Sequence, residues 1–214
     1  MRVIKSVVTT DTILTSSNIP EDEYPAWVSG TSYTALDKVI YEHKIYERIV
    51  TGAGTTPPDL DQANWLDSGY TNRYRMFDNI MSSVSGQMGG IEFTLTPHQI
   101  VNGIALLNVN ASMVRVVMND TIEGVVYDRT KELRSSSNVI DYYSYFFAPL
   151  INLGDLDTAI FLDLPNKPTA TITVYVSSGV GLVEVGEVVY GIQSVVGRTN
   201  YGTAIGITSY SRKD

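Results

Sequence analysis

The sequence predicts an all-β protein, a small β module inserted near the start of a jelly-roll-like β-sandwich. Three observations carry that prediction. Val, Ile and Thr dominate the apolar and small polar residues, a bias toward pleated sheet. From Gly89 onward, eight or so short apolar runs follow one another with turn signals between them. Residues 27–65 hold both tryptophans of the chain, with tyrosines at strand-like spacing between them.

In chain order, residues 2–8 alternate weakly and predict a first strand, assigned to the sandwich, so that the module follows it as an insertion. Residues 9–18 are rich in Ser and Thr and read as turns. The stretch 19–25 has two prolines bracketing Glu21, Asp22 and Glu23, the composition of a solvated connector. Within the module, residues 38–42 and 45–50 predict a hairpin bent at His43-Lys44. Tyr74, Met76 and Phe77 then offer apolar surface to pack the module on the sandwich. The organisation expected is therefore an N-terminal strand and linker over 1–20, the module over 21–69 and the sandwich over 70–214.

In the second part, Ile91, Phe93 and Leu95 share one face, and runs follow at 104–109, 113–118 and 124–128. Residues 159–164 end at Pro165, whose missing donor suits a strand end. The cleanest alternation is 171–176, with Ile172, Val174 and Val176 on one face, and runs at 182–190 and 204–210 complete the set. A helical pattern over 135–147 is weak because its residues are β-branched and aromatic.

Composition excludes several functions. The chain has 214 residues, enough for one large or two small domains, and a net charge of -8 with no basic cluster. Nucleic acid therefore has no electrostatic footprint, and an anionic membrane surface would repel the chain. There are no cysteines, so disulfides and thiolate metal sites are out. The first ten residues are too polar for a signal peptide and no apolar run reaches membrane-spanning length, which predicts synthesis in a cytoplasm.

No catalytic pattern emerges, and no enzyme activity, cofactor or metal is expected. A Gly-x-Ser-x-Gly elbow is missing. His43 and His98 have no carboxylate or cysteine at ligand spacing and read as bend and break residues. Asp59 with Asp61, and Asp155 with Asp157 and Asp163, could form paired carboxylates, but Asp59, Asp61, Asp155 and Asp157 lie in turn-prone sequence where Asp makes local bonds.

Trp27, Tyr33, Asp37, Val39, Tyr41, Tyr46 and Trp65 together resemble the small chitin-binding carbohydrate-binding module of the five/twelve type. Leu36 stands where that family has a glycine before the Asp, and His43-Lys44 replace its Asn-Gly type bend. The resemblance implies a platform of exposed aromatics, for which Trp27, Tyr41 and Trp65 are the candidates, with Asp37 and Glu42 as polar neighbours. A unit this small needs core as well, so Trp27 and Trp65 can each be a stacking ring or a core residue.

The order of parts, with the segments 14–20 and 202–213, is similar to virion proteins of tailed bacteriophages. This likeness implies a structural component of a tail, collar or baseplate, made in the host bacterial cytoplasm. It would assemble as a homo-oligomer with other phage tail or collar proteins. The aromatic run with Tyr142, Tyr143, Tyr145 and Phe146 is then the candidate subunit contact, or else plain core. The alternative is a glycan-binding adhesin or accessory module that recognises chitin-like or cell-surface sugars.

Overall fold

The computed structural model describes residues 2–134, 141–147 and 156–197. In chain order the strands are β1 (Arg2–Ser6), β2 (Leu14–Ser17), β3 (Ser32–Tyr33), β4 (Lys38–Tyr41), β5 (Lys44–Arg48), β6 (Gly52–Ala53) and β7 (Trp65–Tyr70). They continue as β8 (Ser85–Leu95), β9 (Gly103–Asn110), β10 (Met113–Asp120), β11 (Gly124–Glu132), β12 (Ala159–Phe161) and β13 (Thr171–Val195). Among the described residues the one α-helix is α1 (Tyr142–Phe147), and no helix is long and apolar enough to cross a membrane. The fold is all-β.

β13 is the spine of the sandwich. The sequence predicts two strands here, and the structure has one strand of 25 residues. Its first half lies between β10 and β8, with Val174 opposite both Val116 and Phe93. Its second half lies between β9 and the start of β8, then between β9 and β1. The pairing with β8 shifts between Ser177 and Leu182, where Gly179 and Gly181 take φ of +74° and +118°. These glycines supply the bend at which the strand turns within the one eight-stranded sheet, so that its two halves take different neighbours. Outward from this spine, β10 leads to β11, β8 to β2, and β9 to β12.

The alternating faces read from sequence form the core. Ile91, Phe93, Leu95, Ile172, Val174 and Val176 are buried in one continuous cluster, joined by Val114, Val116, Ile104, Leu106, Val188 and Tyr190. β1 joins this sheet by pairing with the end of β13, Ser6 opposite Gly191. The approach is so close that a Cβ on Gly191 would sit 1.9 Å from the Lys5 carbonyl oxygen. β2, within the stretch read as turns, pairs with β8 and buries Leu14. Two strands of the large sheet, rather than one, thus precede the small sheets.

The small sheets are β4-β5-β7 and the pair β3-β6. Their core is Val39, Tyr46 and Trp65, ringed by Trp27, Tyr33 and Tyr41. The hairpin turn falls on Glu42 and His43, one residue earlier than the sequence suggests, because Tyr41 pairs with Lys44. Both turn residues have positive φ, +46° and +64°, the backbone of a primed two-residue turn.

Leu36, where the resembling family has glycine, also has a positive φ of +74°, and its side chain is exposed. A left-handed leucine costs on the order of 1 kcal/mol. Leu36→Gly is therefore expected to stabilise the small sheets by about 0.5 kcal/mol, after allowing for glycine's greater unfolded-state freedom. Urea unfolding would show this as a higher midpoint at unchanged slope.

The aromatic run forms α1, with Tyr142, Tyr143 and Phe146 81%, 72% and 57% exposed. The core reading of these three is thereby overturned. The Tyr145 side chain, the predicted strand at 204–210 and Asp155 lie outside the described residues.

A candidate binding cleft and its junction

Residues 25–27 run beside β4. Trp27 N–H donates to the Ile40 carbonyl (2.9 Å) and Ile40 N–H to the Pro25 carbonyl (2.9 Å), which fixes Trp27 next to Tyr41. The two rings meet edge to face, 5.4 Å between centroids at 80°. With Tyr24, Glu21, Glu42 and His43 they wall an open cleft of about 320 Å³, floored by Ala26 and Ile40. Its size suits one small-molecule unit, and its lining joins apolar rings to a few polar groups.

Desolvation, then the negative charges of Glu42 and Asp59, push the Tyr41 phenol above its ordinary pKa. Asp59 lies in the middle of the 3-10 turn Pro58–Leu60, while Asp61 accepts two 2.9 Å bonds from the Asn64 amide. The two carboxylates therefore have separate duties. In the second group, Asp157 accepts from Thr158 Oγ1 (2.9 Å) and Asp163 from Tyr127 Oη (2.6 Å). Asp37, a predicted polar neighbour of the platform, instead accepts the Thr34 N–H (2.6 Å) within its own turn.

Trp65 is not in the cleft. It is 3% exposed, with Tyr33 edge-on at 5.3 Å and the Arg48 guanidinium 4.9 Å above its ring. A ring so covered has no face to offer a ligand, so the stacking role expected for Trp65 is replaced by a core role. Trp27 and Tyr41 remain half-buried at the cleft.

His43 is the residue that sequence reasoning missed. Its Nε2 lies 2.7 Å from Asp11 Oδ1, and its Nδ1 lies 2.9 and 3.1 Å from the two Glu21 oxygens. The imidazole stacks on Tyr74 at 3.9 Å and 24°, and the Tyr74 hydroxyl donates to Asp11 (2.6 Å). Glu21 also accepts from Thr71 Oγ1 (2.8 Å) and lies 3.7 Å from Arg73. Since both ring nitrogens face carboxylates, the arrangement fits the doubly protonated imidazolium, which donates from each.

Burial is the largest single influence on His43 and opposes its charge. The bonds and charges of Asp11 and Glu21 together outweigh it, leaving the pKa raised. Asp11 is held below the usual carboxylate range, chiefly by the Tyr74 hydroxyl and then by His43. The cluster ties the hairpin tip to the β1–β2 loop and to the segment after β7. No sequence spacing announces it, because its members lie far apart along the chain. His98, by contrast, is exposed in a loop at φ +53°. Among the described residues no group of three or more His, Cys, Asp or Glu side chains is arranged to hold a metal ion.

No family model matches the chain, and no curated protein does. Among solved structures, the chain is similar to a mutant of the lectin binding domain of lectinolysin complexed with Lewis b. That likeness has 12% identity over 56% of this chain and 82% of the other, at a TM-score of 0.36. An F5/8 type C domain from Bacteroides fragilis gives 10% identity over 55% and 79% of the two chains, at 0.36. A variant of chitosan-binding module 1 from a Paenibacillus sp. IK-5 chitosanase/glucanase gives 10% over 57% and 85%, at 0.34. The functional reading rests on the cleft itself.

Proposed function

We propose that the protein is a non-catalytic carbohydrate-binding protein that seats a sugar against the corner formed by Trp27 and Tyr41. The perpendicular pair of half-buried rings, 5.4 Å apart, carries this reading. A pyranose has an apolar C–H face for one ring and hydroxyls for Glu42 and its neighbours, and burying that face drives binding. Coplanar rings would suit the flat surface of a packed polymer. A corner suits a chain end or one exposed unit, so the expected ligand is a soluble or surface-displayed glycan.

Titrating the full chain against an oligosaccharide array tests the reading. Trp27→Ala and Tyr41→Ala are each expected to lower affinity by roughly tenfold or more, the equivalent of one lost aromatic contact. Circular dichroism would check that the fold is retained. A wild-type chain that binds no glycan, or binding that survives both substitutions, would sink it.

A second reading, compatible with the first, is a multicopy structural component of a phage tail, collar or baseplate that would carry the cleft on the virion. Its multicopy part draws on the exposed Tyr142, Tyr143 and Phe146 of α1, an apolar surface suited to contact with a second copy of the chain, while its phage setting rests on the sequence likeness alone. Sedimentation is expected to show an oligomer that Tyr142→Ser with Phe146→Ser dissociates. A monomer at high concentration would remove that support.

A further inference from the structure

Three rings around the small sheets already hold a cation from the chain itself. Lys38 Nζ is 5.6 Å from the Tyr24 centroid, Lys44 Nζ 5.1 Å from Tyr70, and the Arg48 guanidinium 4.9 Å from Trp65. Trp27 and Tyr41, which form the corner of the cleft, hold none among the described residues.

The charge around this corner is unbalanced. Glu21, on the cleft wall, is matched by His43 and Arg73. Glu42, also on the cleft wall, makes no ion pair among the described residues; Asp59, outside the wall, makes none either, and its negative charge reaches the Tyr41 phenol. Both residues are exposed, so neither is needed to fill the core. An open cleft whose aromatic corner holds no cation, with the Glu42 carboxylate outside any ion pair on its wall, is complementary to a positive charge on an otherwise apolar group.

We propose that the Trp27–Tyr41 cleft selects a sugar unit bearing a free, protonated amine over its N-acetylated counterpart. The inference rests on the carbohydrate reading above and assigns its ligand class. An ammonium over a ring face is attracted by the ring quadrupole, and a neighbouring carboxylate adds a charge-assisted hydrogen bond. N-acetylation removes the charge and two of the three N–H donors from the nitrogen. It also brings a carbonyl acceptor toward carboxylates that can only accept.

The test titrates the full chain, by calorimetry and tryptophan fluorescence, with glucosamine and N-acetylglucosamine oligomers of equal length at mildly acidic pH. Choline is run alongside as an ammonium without a sugar. The amine form is expected to bind at least about tenfold tighter, as expected for a desolvated cation–π contact. That preference should shrink at high salt and vanish in the Glu42→Gln, Asp59→Asn double variant. Equal or tighter binding of the N-acetylated oligomer would overturn the inference and leave the carbohydrate reading standing. If neither oligomer binds, the inference fails, and the oligosaccharide array alone decides the carbohydrate reading. Choline binding as tightly as the amino sugar would overturn the assignment to a sugar amine.

Discussion

Trp65→Ala is expected to unfold the small sheets while the sandwich stays folded. The ring is one of the three buried side chains of the small core, Val39, Tyr46 and Trp65, so its loss removes much of the apolar surface that this core buries. Truncating a buried tryptophan costs about 3–5 kcal/mol. The loss is compounded at Arg48, which is 4% exposed and makes no carboxylate contact among the described residues. Its cation rests on the indole face, with one bond from Nη2 to the Gly52 carbonyl (3.2 Å) and Nε without a partner. Without the indole, a buried charge loses its main contact.

A unit with so few core residues has only a few kcal/mol of stability to lose. Amide exchange should therefore become fast throughout β4, β5 and β7, while β8, β9, β10 and β13 keep their protection. Trp27→Ala provides the contrast, because its ring is half-buried at the cleft and its removal should spare the fold. If Trp65→Ala leaves protection in β4 and β5 unchanged, the core role of Trp65 is wrong. If β8 to β13 lose protection too, the two parts do not unfold separately.

What the sequence made legible follows from the range over which each signal acts. Alternation is a local property, and it identified the buried faces at Ile91 and Ile172 because one pleat decides which side chains point inward. Aromatic spacing located the small sheets for the same reason. The continuity of β13 was not legible, since Gly179 and Gly181 read equally well as a loop or as a bend within one strand. β2 was hidden because an edge strand with only Leu14 buried carries almost no alternation. Trp65 was ambiguous in sequence because a stacking ring and a core ring are the same residue type, and burial alone separates them. His43 was opaque for a different reason. Its partners Asp11 and Glu21 come from another loop and a linker, brought to the hairpin tip only when β1 and β2 have joined the sandwich.

That junction is expected to weaken as pH rises. The His43 pKa is raised above its ordinary value of 6.5, so its stabilising contribution is complete below 6.5 and is lost as pH climbs through the raised value. Asp11 behaves in the opposite sense. Its pKa lies below the ordinary 3.8, so its contribution is present above 3.8 and lost as pH falls through the lowered value. The junction is thus strongest in the interval between, from mild acid to near neutrality. Above it, a neutral imidazole can donate to only one of the two carboxylates that face it, and Arg73 remains as the cation near Glu21.

His43→Ala removes the stack on Tyr74 and both charge-assisted bonds, and leaves Asp11 and Glu21 near one another. It should cost about 2–4 kcal/mol at mildly acidic pH and much less in alkaline solution. Tyr74→Phe, which loses only the bond to Asp11, should cost about 1 kcal/mol. Urea unfolding of wild type and His43→Ala across this range is the measurement, with the His43 ring signal followed by NMR. The two stability curves must converge as pH rises, and their separation must follow the titration of that ring. Parallel curves would mean that His43 contributes through packing on Tyr74 and not through its charge.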